Sequence, residues 1–238
     1  MPFRCLFHVH TRYSFDSMLQ PSRIVTEACR QGADVLIVTD HDTVRGSQEA
    51  QTVAAGGPLM VPIAAEYQTE KGDVIGIFLK EEIRPGPAAE IIRQIRSQGG
   101  LVVLPHPFKA HQLDDSFLAE MDLIEIQNSR CSSRENASAR DLAERLGRPV
   151  LGGADAHCAR ELGAVMNHFS GELPRTEDQL RESLLRRPRE ISSQPVSGVY
   201  RPYSQMIKAV KTRNPSLFLS QSKRLAMTWV RESWGQPT

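Results

Sequence analysis

The sequence has few of the features that mark secreted, membrane-spanning or polyanion-binding proteins. Its 238 residues include only four cysteines, which lie far apart and form no CxxC pair. This usage predicts reduced thiols, a cytoplasmic location and no disulfide framework. No apolar run approaches the roughly 20 residues of a membrane span, and the N-terminus turns polar too early for a signal peptide. The net charge of +1 favours no polyanionic partner for the chain as a whole.

Short apolar runs that end on polar residues are the main feature present. A hydrophobic content of 40% and a charged content of 24% suit one α/β domain. Each run has the Val, Ile and Leu content of a strand buried on both faces, and ends on His, Asp, Glu or Asn. An α/β barrel builds its active site at one mouth from such strand ends. The runs cover residues 2–10, 35–42, 59–66, 101–107, 123–128 and 149–157.

The segments between these runs have the spacing of amphipathic helices. Asp73 to Leu79 predicts a further strand, paired to its predecessor across a short turn at Lys71 and Gly72. Alternating strands and helices require right-handed parallel crossovers, which predicts a closed or nearly closed parallel barrel. The predicted helices cover residues 21–30, 43–55, 87–98 and 133–146.

The last 44 residues differ in charge from the rest. Residues 195–238 carry seven lysines and arginines against one acid. We predict a barrel domain over residues 1–194 and a basic helical extension over 195–238 packed on the barrel, and favour this over a nucleic-acid-binding arm. Because the extension follows the last polar strand end, we expect removal of residues 215–238 to leave the mouth functional. An amphipathic helix is predicted from Leu219, Met227, Val230 and Trp234.

Histidines and acids at the strand ends form candidate metal sites. His8 and His10 are two apart, so both imidazoles point to one face, and Asp155 and His157 repeat this spacing. A pair of buried, hydrogen-bonded histidines is the structural alternative for His8 and His10. Ionised carboxylates are seldom buried without a partner, and divalent cations would compensate for the desolvation of Asp16, Glu66 and Asp155.

Six motifs together resemble those of the polymerase and histidinol phosphatase (PHP) family of metal-dependent phosphoesterases. The resemblance covers residues 3–170 and implies a distorted seven-stranded (β/α) barrel with two or three divalent metals at the carboxyl ends of the strands. The motifs are HxH at 8–10, YSFDS at 13–17, TDHDT at 39–43, Glu66, PHP at 105–107 and GADAH at 153–157.

The resemblance also implies which residues hold the metals. Two ions of zinc, manganese or iron are expected, with a weaker third site that shares Glu66 as a bridge and takes His106. Trinuclear members have a histidine where this chain has Asn128, a poorer ligand. The implied ligands are His8, His10, Glu66 and Asp155 for the first ion and Asp16, His41 and His157 for the second.

Phosphoester hydrolysis is the expected chemistry. A hydroxide that bridges two cations would attack a phosphomonoester of a nucleotide or another small metabolite. The candidate catalytic residues are His106 or His157 as proton donor to the leaving group and Asp40, with Asp42, to orient His41. Arginines are common in surface loops, yet loops at the mouth offer candidate phosphate ligands: Arg130, Arg134, Lys109 and Arg12.

Two other functions remain open. A phosphodiesterase or exonuclease acting on nucleic-acid ends could use the basic extension to hold a strand. A metal-stabilised module without catalysis is the third alternative, against which the complete ligand set argues. The partner expected first is a small phosphorylated substrate, with nucleic acid second and no membrane, and the sequence does not define the oligomeric state.

Overall fold

The computed structural model describes residues 2–234, which form nine strands and eight helices. The strands are β1 (Phe3–Val9), β2 (Val35–Val38), β3 (Ala64–Tyr67), β4 (Val74–Ile77), β5 (Leu101–Leu104), β6 (Leu123–Asn128), β7 (Val150–Gly153), β8 (Val165–Phe169) and β9 (Arg189–Ser193). The helices are α1 (Pro21–Arg30), α2 (Arg45–Ala54), α3 (Ala88–Ser97), α4 (Asp115–Ala119), α5 (Ser133–Leu146), α6 (Glu177–Arg186), α7 (Tyr200–Lys211) and α8 (Pro215–Ser233).

The strands form two mixed sheets, with orders β2-β1-β8-β9 and β3-β4-β5-β6-β7. Isolated parallel bridges join the sheets at two seams, pairing Val9 with Ala156 and His41 with Glu66. The first bridge brings the carboxyl end of β1 next to that of β7, and the second brings the carboxyl end of β2 next to β3. The strand ends that carry the polar motifs therefore share one edge of the molecule.

The fold class is α/β, as predicted, but the parallel arrangement is wrong in part. β4 pairs antiparallel with both β3 and β5, and β8 pairs antiparallel with β1. The short turn at Lys71 and Gly72 permits only an antiparallel hairpin, because a parallel crossover needs a dozen or more residues. The described residues thus contain two mixed sheets, and the closed seven-stranded barrel is not confirmed.

The predicted helices are confirmed as α1, α2, α3 and α5, each within two residues of the predicted ends. In α5, Ser132 and Glu135 form a reciprocal capping box, and Gly147 ends the helix in the left-handed region at φ 59°. In α1, Pro21 occupies the first turn and Ile24, Val25 and Ala28 are buried. Aliphatic side chains from such helices and from the strands make up the core around the sheets.

The C-terminal segment forms the hairpin of α7 and α8, which lies against the polar edge of the sheets. Nζ of Lys211 donates to the carbonyl oxygens of Arg12, Ser14 and Ser17 at 2.8, 2.6 and 2.7 Å. The predicted apolar face of α8 does not pack, because Leu219 and Met227 are 63% and 64% exposed. The predicted domain boundary at residue 195 stays a prediction. Within residues 2–234, no helix has the length and apolar character needed to span a bilayer.

Candidate metal centre

All eight predicted metal ligands converge at the carboxyl edge of the strands. The buried Glu66 lies centrally: its Oε1 is 3.4 Å from Nε2 of His8 and 3.2 Å from Nε2 of His106. Its Oε2 is 3.5 Å from Nε2 of His10 and 3.2 Å from Nδ1 of His41. This carboxylate therefore touches imidazoles delivered by three different strands, which suits a bridging ligand.

The ligand atoms fall into three groups, each compact enough to hold one ion. Within a group, the atoms lie within 4.8 Å of one another. In the first group, Nε2 of His157 is 3.0 Å and Nε2 of His41 is 3.7 Å from Oδ2 of Asp16. The groups are His10, Asp16, His41 and His157; His8, His10 and Asp155; and His8, Glu66 and His106. The assignment of each ligand to a particular ion stays a prediction.

Hydrogen bonds at Nδ1 orient three histidine rings so that the other ring nitrogen, Nε2, faces the centre. Oγ of Ser14 gives its one hydrogen to Asp40 at 2.7 Å, so Nδ1 of His10 must donate to this oxygen at 3.0 Å. Nδ1 of His157 donates to the carbonyl oxygen of Asp155 at 2.8 Å, and Nδ1 of His8 to Glu125 at 2.9 Å. In the neutral imidazoles the Nε2 atoms of these residues are consequently lone-pair donors, as metal ligation requires.

The donor set fits divalent cations because several of its buried atoms have no other partner. Nine buried side-chain nitrogen or oxygen atoms in residues 2–234 have no hydrogen-bond partner. Five of them belong to predicted ligands: Nε2 of His8 and His10, Oδ1 of Asp16, and Nδ1 of His41 and His106. Orphaned polar atoms are rare in protein interiors, so their concentration here indicates bound ions.

Backbone strain also concentrates at this centre. Among residues 2–234, seven non-glycine residues have positive φ, and three of them are predicted ligands: His8 at 65°, His106 at 28° and Asp155 at 47°. Such conformations cost about 1–3 kcal/mol each and persist where the surroundings or a ligand compensate. The chain therefore holds these side chains inward against its local preference.

The protonation states of the ligands are strongly coupled. Burial alone would raise the pKa of Glu66, but His8 and His41 hold this pKa well below its ordinary value. Burial would lower the pKa of His41, yet Glu66 and Asp16 raise it to about 9. Burial, together with the charges of His157 and His41, lowers the pKa of His10 to about 3. The carboxylates are thus ionised at neutral pH.

Asp40 acts on the centre from behind and does not line its cavity. Its carboxylate accepts hydrogen bonds from the amide and hydroxyl groups of Thr11, both at 2.6 Å, and from Ser14. Ser14 in turn contacts His10 and the amide of His41. Asp40 was predicted as a catalytic residue. Its contacts suit a residue that positions His10 and His41 through Ser14.

Glu125, in the middle of β6, is a functional residue that the sequence analysis missed. It is 1% exposed, and besides His8 it accepts from the amide of His106 at 2.7 Å and from the side chain of Asn128 at 2.9 Å. Oδ1 of Asn128 accepts from the amide of Arg130 at 2.8 Å. Each end of the Asn128 amide thus has a partner within the protein, and the weakness of the third metal site stays a prediction.

The predicted phosphate ligands differ in their surroundings. Lys109 faces the centre, with Nζ 3.2 Å from Oδ2 of Asp155. Arg130 borders the same cavity, but its guanidinium donates to Glu161 and Ser204. The other two predicted phosphate ligands, Arg12 and Arg134, do not line the cavity.

Arg12 pairs with Glu49 at 3.0 Å on the surface, and Arg134 is exposed in the first turn of α5. Substrate binding by Arg12 and Arg134 stays a prediction, and their positions outside the cavity do not support it. Cys158 lies beside His157, and burial raises the pKa of its thiol to about 12, which argues against a role as a nucleophile.

The cavity above the centre has a volume of about 370 Å³. Asp73, another residue missed in the sequence, borders it with Oδ2 3.9 Å from Nε2 of His106. The C-terminal hairpin also contributes to its wall. The lining includes Arg201, Gln205, Gln221 and Arg224. The expectation that removal of residues 215–238 leaves the mouth functional stays a prediction, although Gln221 and Arg224 belong to the removed segment.

Comparisons with known proteins agree with this architecture. A family model described as PHP-associated matches residues 133–188. The uncharacterized protein MJ1587 of Methanocaldococcus jannaschii is 35% identical over 136 residues, which cover 51% of this chain and 80% of that protein.

Solved structures share the fold at low sequence identity. One is a two-domain protein from Bacteroides vulgatus containing a predicted PHP-like metal-dependent phosphoesterase, with TM-score 0.70, 19% identity and coverage of 82% of this chain and 65% of that one. Another is the lesion-specific endonuclease PfuEndoQ of Pyrococcus furiosus, with TM-score 0.61, 16% identity and coverage of 80% and 58%. This chain therefore spans less than two thirds of either protein. With its motifs, its fold and these relatives taken together, the chain belongs to the PHP domain family.

Proposed function

We propose that the protein is a metal-dependent phosphoesterase that hydrolyses a small phosphomonoester. The observation that carries this proposal is the convergence of eight histidines and acids on one edge, five of which have a buried atom without a hydrogen-bond partner. The likeness to PHP-like metal-dependent phosphoesterases supports the same chemistry. Intact ligands argue against a module without catalysis.

Two divalent ions held by these residues would activate water and neutralise the phosphoryl oxygens during attack. The protein itself would orient the ligands through Glu125 and Ser14, as described above. Nζ of Lys109 borders the cavity and would bind a phosphoryl oxygen of the substrate. The mixed imidazole and carboxylate donor set suits zinc, manganese or iron.

Protonation of the leaving oxygen falls to a histidine on the cavity wall. His106 and His157 both line the cavity and are 4% and 3% exposed. Nδ1 of His157 is occupied by the carbonyl of Asp155, and its Nε2 faces Asp16. Nδ1 of His106 has no protein partner within residues 2–234, and this makes His106 the freer of the two to exchange a proton.

The size of the cavity favours a small substrate. Pockets for small molecules span about 300–1,000 Å³, and this cavity is at the lower end of that range. The α7–α8 hairpin closes one side of it. A nuclease is the second candidate, since one protein of similar fold is an endonuclease and the hairpin is basic. A strand, however, would have to pass the hairpin to reach the ions.

Metal analysis and a substrate panel test both candidates. We expect purified protein to carry about two divalent ions per chain, and to cleave some member of a panel of mononucleotides, sugar phosphates and histidinol phosphate faster than short oligonucleotides. His10→Ala should lower turnover by about a hundredfold or more. His168→Ala, at a partly exposed histidine on β8 that is not a predicted metal ligand, is the matched control.

Two results would contradict these expectations. Protein with less than one bound ion whose activity no added metal restores would refute the phosphoesterase. Preference for oligonucleotides, with steep weakening by salt, would instead favour the nuclease.

A further inference from the structure

The hairpin of α7 and α8 places two arginines beside the metal centre. Arg201 on α7 and Arg224 on α8 line the cavity opposite the strand ends, together with the amides of Gln205 and Gln221. The remaining lining comes from the strand-end loops that carry the metal ligands. Four of the thirteen residues that line the cavity thus belong to a segment that follows every metal ligand in the sequence.

Neither arginine has an ionic or hydrogen-bonding partner for its guanidinium in residues 2–234. Arg130, between them and the centre, shows the contrast, because Glu161 and Ser204 bind its guanidinium. A buried guanidinium that is paired positions a neighbouring loop. Arg201 and Arg224 are exposed residues, and an unpaired guanidinium that borders a cavity is available to an anion from outside the protein.

The acids nearest to this pair are already engaged. Glu135 closes the capping box with Ser132, and Glu161 accepts from Arg130. Glu232 on α8 accepts from the hydroxyl group of Ser197 and the amide of Gly198, both at 2.6 Å. The positive charge of Arg201 and Arg224 is therefore not cancelled by bonded acids along this wall.

A second cavity of about 470 Å³ begins where the first ends, and Arg201 and Arg224 line both. A ligand whose phosphate lies at the metal ligands and whose other end points to the hairpin would meet the two guanidiniums at this junction. Gln221 lines the first cavity only, and its buried Oε1 has no hydrogen-bond partner in residues 2–234. This oxygen is an acceptor, so it is open to a donor group of the ligand and not to the anion itself.

We propose that Arg201 and Arg224 form a second anion site, which selects phosphoesters carrying a further anionic group, a carboxylate or a phosphate, in the leaving group. This inference rests on the proposed function, because it assumes that the ester phosphate lies at the metal ligands. Two guanidiniums on separate helices match the oxygens of either anion. The hairpin is then a determinant of specificity and not a passive cover.

Binding of three-carbon phosphonates to the metal-loaded protein tests the site without any need for hydrolysis. Propylphosphonate has a neutral end, 3-phosphonopropionate a carboxylate and propane-1,3-bisphosphonate a second phosphonate. We expect calorimetry to show at least about tenfold tighter binding for one or both doubly anionic compounds. Arg201→Gln and Arg224→Gln should each remove most of this preference and leave propylphosphonate unchanged. Lys223→Gln, at an exposed neighbour that lines neither cavity, is the control.

The outcomes separate this inference from the proposed function. Equal or undetectable binding of all three phosphonates by the wild type, or a preference that survives the double variant, overturns the anion site. Which of the two anions binds more tightly identifies the class of leaving group. Failure to hydrolyse any phosphoester, with the preference and its loss in the variants intact, refutes the proposed function but leaves the anion site.

Discussion

Nδ1 of His8 lies 2.9 Å from Oε1 of Glu125, with both side chains fully buried. The two residues belong to strands from different sheets, β1 and β6, and β7 runs between them. A Cβ atom on Gly153 of β7 would lie 1.7 Å from Oε1 of Glu125 and 2.8 Å from Cβ of His8. The absence of a side chain at residue 153 therefore permits the contact that orients His8 toward the metals.

Replacing Glu125 with glutamine should weaken metal binding while the fold persists. The amide keeps the size of the side chain but loses the charge that holds Nδ1 of His8 as a donor, and loss of such a partner costs about 10–100-fold in metal affinity or activity. Competition with a chelator would measure it. Glu120→Gln, at an exposed acid after α4, serves as control. Wild-type affinity in Glu125→Gln would show that this carboxylate does not act on the metals.

Replacing Gly153 with alanine should disturb both stability and the metal centre. The new methyl group must displace Glu125 or His8, and overpacking of this kind costs about 1–3 kcal/mol. Gly86→Ala is the control, because there the nearest atom is the mobile end of Glu90 at 3.2 Å. Thermal unfolding and metal content of the two variants would be compared. A Gly153→Ala protein with normal stability and metal content would contradict the crowding described here.

Metal binding should release protons at pH 7.5. In the metal-free protein Glu66 and Asp16 outweigh burial and raise the pKa of His41 to about 9, and Glu125 and Glu66 likewise raise that of His8. Both imidazoles are then protonated at pH 7.5 and must lose the proton to bind a cation, so about one to two protons should leave. The release should fall as the pH rises above 9, where His41 is already neutral.

Calorimetric titration of chelator-treated protein with a divalent metal ion, in buffers of different ionisation enthalpy, would measure the number of protons released. His41→Ala should release fewer protons than the wild type. Heats at pH 7.5 that do not depend on the buffer would contradict the raised pKa values.

The positions of the metal ligands could be predicted from the sequence, because a buried strand must end where its apolar run ends. His8, Glu66 and Asp155 lie at one edge for that reason alone. Glu125 was missed because it interrupts an apolar run in mid-strand, and only the fold, which places β7 between β1 and β6, reveals that its partner is His8. The short turn at Lys71 and Gly72 predicted that β3 and β4 form a hairpin. A hairpin requires antiparallel pairing, which is incompatible with the all-parallel barrel that was also predicted. Nothing in the sequence of α8 indicates that Arg224 turns back to the metal centre.

The contact of Lys211 with the loop that carries Asp16 leads to the last prediction. Its ammonium group donates to three carbonyl oxygens of that loop, those of Arg12, Ser14 and Ser17. Hydrogen bonds to a charged group contribute about 1.5–3 kcal/mol, so Lys211→Met should loosen residues 11–17 and lower metal affinity through Asp16. Lys223→Met, on the exposed side of α8, should change neither property. Hydrogen exchange should show faster exchange of the loop amides in Lys211→Met than in the control, while the strands keep their protection. Equal exchange in both variants would mean that α7 does not hold the loop, and the hairpin would then act on the centre only through its arginines.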